Sequence, residues 1–252
     1  MLQAIVWGLI QGITEFLPVS SDGHLVLVPA FLGLEQPDLA TTAVLHLGTL
    51  VAVIAFFRRD LWSLTKARTD PEARRLLGLL VLGSLPAGLA LLFVDQVEAL
   101  QRSVAATAVF LLVTGIVMLI ADRFRSGTRR VPDARPADAV LIGFAQLLAI
   151  LPGISRSGMT ISTGLARGFD KLEAARFSFL LGIPAITAAG LLELGTLLDR
   201  GGVPATAWLG VVVAGITGYL AITFLLRMLA RTGLTAYAIY CLVVGALALL
   251  VL

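Results

Sequence analysis

Apolar runs of nearly constant length alternate with short polar loops along most of the chain. Six runs, at about 40–57, 76–94, 104–122, 174–198, 205–226 and 233–252, approach the ~20 mostly apolar residues that a helix needs to cross a bilayer. Each predicts a membrane-spanning helix, with Glu193 near the interfacial end of the fourth. Two other apolar stretches, 1–34 and 137–166, are interrupted in the middle. The first breaks at Pro18-Val19-Ser20-Ser21-Asp22-Gly23-His24 and the second at Pro152-Gly153-Ile154-Ser155-Arg156-Ser157-Gly158. The half-segments beside each break are too short to span, so each stretch predicts a re-entrant helical hairpin. A non-helical turn at membrane depth is tolerated only when protein buries it or it lines a wet cavity.

Composition agrees with that pattern. Of 252 residues, 58% are hydrophobic and 14% charged, where a soluble domain carries about 25% charged residues. So few charges cannot cover a water-facing surface, which excludes a soluble enzyme, a disordered chain and a disulfide-built secreted scaffold. The lone cysteine, Cys241, lies in an apolar run, so the chain forms no internal disulfide and no Cys-based metal site is expected. The first residues lack a basic region and a small-residue cleavage site, and are expected to stay as part of the fold.

The net charge of +3 is unevenly placed. Arg58, Arg59, Lys66, Arg68, Arg74 and Arg75 follow the first span; Arg123, Arg125, Arg129, Arg130 and Arg135 follow the third. Arg167, Lys171 and Arg176 precede the fourth, and Arg227 and Arg231 separate the last two. With six spans and two re-entrant hairpins all sixteen fall on one side, which the positive-inside rule makes cytoplasmic. The other side receives only Arg102 and Arg200. Residues 1–57 contain no Lys or Arg, so the first hairpin enters from outside and the second from the cytoplasm.

The two halves, about 1–126 and 127–252, read as an internal repeat within a single integral membrane domain. Phe-Leu-Pro-Val-Ser-Ser-Asp-Gly resembles Leu-Pro-Gly-Ile-Ser-Arg-Ser-Gly. Gln11 precedes Pro18 by seven residues and Gln146 precedes Pro152 by six; Gln11 to Gly48 is 37 residues and Gln146 to Gly182 is 36. One hairpin plus three spans is an odd number of crossings, so the second copy is inserted upside down. The expected fold is an all-α polytopic membrane protein: six transmembrane helices and two re-entrant hairpins in an inverted-topology repeat. Substrate sites in such designs form where the broken helices meet.

Polar groups at that depth are expensive and functional by default. The first break offers Gln11, Glu15, Ser20, Ser21, Asp22 and His24; the second offers Ser155, Arg156, Ser157 and Thr160. Both breaks lead into a helix N-terminus, where free N–H groups and the dipole favour an anion. Arg156 adds a planar fork suited to phosphate. Beside a carboxylate, a histidine and hydroxyls, that is an inventory for phosphoryl transfer. Plainer readings stand next to it. Ser162 and Thr163 are expected to serve packing, and His46 to be a packed or supporting residue. Asp22 could bind a cation or cap its helix, and Glu15 could be an interfacial charge.

These residues carry a resemblance. The sequence resembles the undecaprenyl-diphosphate phosphatases, also called bacitracin-resistance proteins. Their first pattern is Glu or Gln four residues before Glu, followed by Phe-Leu-Pro-(Ile or Val)-Ser-Ser-x-Gly-His. Here it reads QGITEFLPVSSDGH at 11–24. The second, Pro-Gly-x-Ser-Arg-Ser-x-x-Thr, reads PGISRSGMT at 152–160. Two departures stand out: Asp22 occupies a place where the family often has Thr or Ser, and Gln11 is the amide form of the first position, unable to act as acid or base.

The resemblance implies hydrolysis of undecaprenyl diphosphate to the monophosphate carrier and inorganic phosphate. That recycles the carrier for peptidoglycan synthesis and confers bacitracin resistance. It also implies a bacterial inner-membrane location, a site open to the periplasm, and help from Mg²⁺ or Ca²⁺; Glu15 is expected either to orient His24 or to ligate that cation. The expected partners are a polyprenyl diphosphate and the lipid bilayer, not nucleic acid, with a homodimer left open. On this reading Ser21 is the nucleophile with His24 as its base, or His24 attacks directly. Arg156 clamps the diphosphate, and Gln11, Ser20, Ser155, Ser157 and Thr160 assist in binding it. A lipid-phosphate transporter or flippase on the same repeat is the alternative.

Overall fold

A computed structural model describes residues 1–93, 97, 100, 103–199 and 205–252, without the side chains of residues 39, 40, 43, 91 and 192–199. Arg102 and Arg200, assigned to the outer side, lie outside the described residues, as does the side chain of Glu193. The described chain is helical: α1 (Leu2–Phe16), α2 (Ser21–Leu32), α3 (Leu39–Phe56), α4 (Arg58–Leu64), α5 (Pro71–Ser84), α6 (Val104–Ala121), α7 (Pro136–Leu148), α8 (Arg156–Ala166), α9 (Lys171–Asp199), α10 (Ala205–Thr232) and α11 (Thr235–Val251). Two short 3₁₀ turns, Asp122–Phe124 and Val131–Asp133, lie between α6 and α7, and α5 continues into a 3₁₀ stretch, Leu85–Phe93.

Four helical segments are long and apolar enough to cross a membrane: Pro71–Ala90, Val104–Phe124, Lys171–Leu191 and Ala205–Thr232. The other two expected spans, α3 and α11, are helices of 18 and 17 residues, about 26 Å long at 1.5 Å per residue. The outward surface suits lipid. On α10, Val212, Ile216, Leu220 and Phe224 recur every fourth residue and are all more than half exposed. The opposite face of that helix buries Gly210, Ala214, Gly218 and Ala221. Large apolar residues outside and small ones inside invert the order of a soluble helix, as expected where lipid is the solvent and helices gain by close approach.

The 3₁₀ stretch has a cause in the sequence. Pro86 has no N–H to offer the preceding turn, so the α-helical ladder cannot continue through it. A run this long is unusual for 3₁₀ geometry, and it falls where the chain passes the functional cavity.

The two expected hairpins are α1–α2 and α7–α8. Proline sets each break, because the residue before it is steered out of helical geometry. Leu17, before Pro18, is extended (φ −64°, ψ 141°). Gly153 then turns the second break at φ +96°, a region open to glycine at no steric cost. In the first break Ser20 holds φ 68°, the one non-glycine positive φ among the described residues. Each second half-helix starts on a serine cap: Ser20 Oγ accepts from the Gly23 N–H at 3.2 Å, and Ser155 Oγ from the Gly158 N–H at 3.1 Å.

α1 lies along α10 and α7 along α5, while α3 packs on both α9 and α10 and α6 faces α11. The breaks are tied in from these last two helices. Thr114 of α6 donates to the Gly153 carbonyl at 3.0 Å and accepts from the Ser155 N–H at 3.1 Å. From α11, the Cys241 thiol reaches the Pro18 carbonyl at 3.6 Å.

The loops bearing the basic residues gather at one end. Arg176 pairs with Asp60, Arg75 donates to the Ala134 carbonyl, and Lys171 donates to the Ala230 carbonyl. Arg125 reaches both Asp122 and the Thr232 carbonyl. Asp138, at the root of the second hairpin, accepts from Arg129 and Arg167 at 2.6 Å each and from the Arg135 N–H at 2.8 Å.

Candidate active site

The two breaks meet. A Cβ placed on Gly23 would stand 3.2 Å from the Gly153 Cα, and Ser157 Oγ crosses between hairpins to donate to the Leu17 carbonyl at 3.1 Å. Beside this junction lies a cavity of about 520 Å³. One wall carries Glu15, Ser20, Ser21, Asp22 and His46; Ser155 and Arg156 come from the second break. The remaining wall is mostly small and apolar, from the 3₁₀ stretch, from the α7 end at Gln146–Ile150, and from Pro184–Ala189 of α9. Those parts of α5 and α9 are the halves remote from the basic loops, so the cavity sits toward the opposite end of the molecule. A second cavity, at the basic end among Asp70, Glu72, Arg75 and Arg176, contains none of the motif residues.

Glu15 is the hub. Its Oε2 accepts from Ser21 Oγ at 2.6 Å and from Gln11 Nε2 at 3.1 Å. Its Oε1 accepts from Arg156 Nη2 at 2.6 Å. The i, i+4 spacing that puts Gln11 and Glu15 on one face of α1 therefore becomes a hydrogen bond. Arg156, which starts α8, crosses from the second hairpin to the first, and its Nη1 is buried with no protein partner among the described residues. The guanidinium lies against Gly182 of α9 with Nη1 nearest, where any Cβ would strike it.

His46 joins this hub. Its Nδ1 lies 2.9 Å from the Thr42 carbonyl. Its Nε2 lies 3.5 Å from Glu15 Oε2 and 4.0 Å from Asp22 Oδ1, so both ring nitrogens face acceptors. Placed by sequence among the packed or supporting residues, it lines the cavity. A histidine in an ordinary span one helix away from the motif gave little signal beyond its rarity.

His24 is positioned differently from expectation. It is buried, with Nδ1 at 2.7 Å from the Ser20 carbonyl and Nε2 at 2.7 Å from Tyr240 Oη. Its ring stacks on Tyr240 with an interplanar angle of 7°. Both nitrogens are thus committed to holding the Ser20 turn, and the group that receives the Ser21 hydroxyl is Glu15. One turn of α2 separates Ser21 from His24, which is why the spacing suggested a pair; the side chains diverge.

The remaining candidates divide in two. Ser20, Ser21, Asp22, Ser155 and Arg156 line the cavity. Gln11, Ser157 and Thr160 are buried behind it. Thr160 Oγ1 donates to the Arg156 carbonyl at 2.7 Å and lies 2.5 Å from Ser178 Oγ, bracing the start of α8 against α9. Ser162 is buried and Thr163 back-bonds to the Met159 carbonyl, both in keeping with packing.

The hub is a poor place for a cation, since protein donors already occupy both oxygens of Glu15. The Asp22 carboxylate, 42% exposed and 4.0 Å from the His46 ring nitrogen, accepts no hydrogen bond among the described residues. Among the described residues no three His, Cys, Asp or Glu side chains group as a ready-made metal site. A single carboxylate plus phosphate oxygens brought by a substrate is nevertheless a usual Mg²⁺ environment, and Asp22 fits that mode.

The fold and the cavity define a class: a polytopic helical membrane protein with a buried hydroxyl–carboxylate–guanidinium site built from two broken hairpins. The profile of the family described as "Bacitracin resistance protein BacA" matches residues 4–247, and the chain belongs to that family. Among curated relatives, proteins named "Undecaprenyl-diphosphatase" are similar over nearly their whole length. That from Thermomicrobium roseum is 43% identical over 99% of this chain and 97% of its own. That from Rubrobacter xylanophilus is 44% identical, over 95% and 94%. That from Methanosphaera stadtmanae is 38% identical, over 97% and 95%.

Proposed function

We propose that this protein removes the terminal phosphate of undecaprenyl diphosphate, giving undecaprenyl phosphate and inorganic phosphate. Such a reaction would recycle the lipid carrier for peptidoglycan synthesis and limit the diphosphate lipid available to bacitracin. Family membership and the names of the relatives support the activity. The observation that carries its chemistry is the Ser21 hydroxyl donating to Glu15 at 2.6 Å in a cavity that also holds Arg156.

Ser21 Oγ attacks the terminal phosphorus, the bridging P–O bond breaks, and the prenyl phosphate leaves. The hydroxyl proton passes to Glu15. Arg156 and the N–H groups at the start of α8 hold the transferred phosphoryl group and balance its charge. Water then attacks the phosphorus as the P–O bond to Ser21 breaks; Glu15 returns its proton to Ser21 Oγ, and phosphate leaves with both protons of the water. A divalent cation arriving with the diphosphate would be held by Asp22 and would neutralise phosphate charge. His46 keeps Glu15 oriented toward Ser21. His24, through the Ser20 carbonyl, keeps the Ser20–Ser21 turn in place.

The inverted repeat, with halves 1–126 and 127–252 and six spans, is supported by the matched breaks and by the pairing of α3 with α9 and α6 with α11. The gathering of basic loops at one end and of the cavity toward the other supports a bacterial inner-membrane protein whose site opens to the periplasm. A homodimer would show as a doubled particle mass in detergent.

The deciding experiment is phosphate release from undecaprenyl diphosphate by detergent-purified protein, wild type beside Ser21→Ala. Loss of the nucleophile is expected to lower turnover by about 10³-fold or more. Near-normal release from folded Ser21→Ala would sink the assignment. An inert, folded wild type, with or without Mg²⁺ or Ca²⁺, would overturn the reaction itself.

A further inference from the structure

Gln146 has a task that the mechanism has not used. It is the second-half counterpart of Gln11, and the two part company one turn further on. Four residues after Gln11 stands Glu15, on which the Gln11 amide spends its Nε2 hydrogen bond. Four residues after Gln146 stands Ile150. Gln146 is only 4% exposed, yet neither its Nε2 nor its Oε1 has a partner among the described residues. A buried amide left without partners is costly and calls for an explanation. The residue lines the cavity together with Arg156.

Its position on the wall specifies the partner. The nucleophile and its acceptor belong to the wall formed by α1–α3. In an in-line displacement the leaving oxygen departs away from the nucleophile, and here the leaving group carries a long apolar chain. Small apolar residues line the other wall: Ala87, Gly88 and Ala90 of the 3₁₀ stretch, Ala149 and Ile150 of α7, and Ala185, Ala188 and Ala189 of α9. Its polar side chains are Ser84, already donating to the Leu80 carbonyl at 2.7 Å, and Gln146.

We propose that Gln146 holds the phosphate that stays on the lipid. Its carboxamide donates to oxygens of the leaving prenyl phosphate, while Arg156 and the α8 start hold the phosphoryl group being transferred. Negative charge builds on the leaving phosphate as the bridging bond breaks, so a donor there lowers the barrier. A neutral amide supplies it without the charge pairing that would trap a dianionic product. This inference rests on the proposed phosphatase reaction.

Product inhibition separates the two phosphate positions within one protein preparation. Gln146→Leu is expected to lower kcat/KM on undecaprenyl diphosphate by on the order of 10- to 100-fold. It should weaken inhibition by undecaprenyl phosphate by a similar factor and leave inhibition by inorganic phosphate unchanged. Gln146→Glu, similar in size but negatively charged, is expected to lose more than Gln146→Leu on every measure involving the lipid phosphate. Because inhibition constants do not depend on the fraction of protein that is folded, a partly misfolded variant still gives the answer. Normal inhibition of Gln146→Leu by undecaprenyl phosphate, or equal weakening by both products, would overturn the assignment while leaving the reaction standing. A wild-type protein inert toward the diphosphate would overturn both.

Discussion

In the first hairpin Gln11 leans on Glu15, Glu15 holds the Ser21 hydroxyl, and His24 braces the turn against Tyr240. In the second hairpin the residue four places after the matching glutamine is an isoleucine, and the break carries a guanidinium. Both share a proline break, a serine-capped second helix and a tether from the α6–α11 pair. On the proposed mechanism the two hairpins have different chemical tasks: the first would bring the attacking group and its proton acceptor, and the second positive charge and hydrogen-bond donors. Catalysis needs both at one atom, and Arg156 bonded to Glu15 at 2.6 Å joins them.

Breaking that joint should have the largest effect. Glu15→Gln keeps the side chain's size but removes the acceptor for the Ser21 proton and leaves Arg156 facing a neutral amide. Turnover is expected to fall on the order of 10³-fold, about 4 kcal/mol of transition-state stabilisation. His24→Gln should retain far more, since an amide can still bond the Ser20 carbonyl and Tyr240. Steady-state phosphate release from the two variants side by side checks the order. Greater loss from His24→Gln would return the role of base to the histidine.

The comparison sharpens at Gly48 and Gly182, which lie 37 and 36 residues after Gln11 and Gln146. A Cβ on Gly48 would run into the Val211 carbonyl, part of the backbone of α10. A Cβ on Gly182 would run into the guanidinium of Arg156. Backbone cannot yield, so Gly48→Ala is expected to cost about 1–3 kcal/mol of stability. A side chain can yield, so Gly182→Ala should fold almost normally and displace the clamp. A shift near 1 Å in a positioning group can cost about 100-fold, and a 10- to 100-fold loss in kcat/KM is expected. Thermal unfolding in detergent and phosphate release, measured on both variants, give opposite rank orders if the two halves have diverged in this way.

Much of this was legible in the sequence because lipid imposes a strict grammar. Length and apolarity mark long helices and proline marks breaks, so α1–α2, α7–α8 and the intervening helices fall close to their predicted places. That Glu15, Ser21 and Arg156 would meet at one cavity was legible because polar residues at depth stand out. Direction was not legible. Ser21 and His24 are three residues apart at the start of α2, yet one side chain faces the cavity and the other faces Tyr240. Ser157 and Thr160 also looked like phosphate ligands, but they spend their hydroxyls on the backbone. His46 enters from a helix with no motif, and only tertiary packing brings its ring to Glu15 and Asp22.

The hairpins differ last at their roots, and there the expected effect is smallest. The first 57 residues hold no Lys or Arg, so the first hairpin has no local cation to anchor it. The second is anchored by Asp138, fully covered and bonded to Arg129, Arg135 and Arg167. Burial alone would raise this carboxyl's pKa, but the hydrogen bonds from Arg129, the Arg135 N–H and Arg167 outweigh it and hold the value down at about 2. The folded value lies below that of an ordinary aspartate, near 4. Its contribution is therefore complete above about pH 4 and is lost as pH falls toward 2. Both arginines remain about a third exposed, so water screens the pairs, and Asp138→Asn is expected to cost about 1–2 kcal/mol at neutral pH. The gap in unfolding temperature between wild type and Asp138→Asn should close between pH 4 and 2, as protonation makes the native carboxyl neutral like its replacement. A gap that stayed constant over that range would show that the root is held by packing and not by charge.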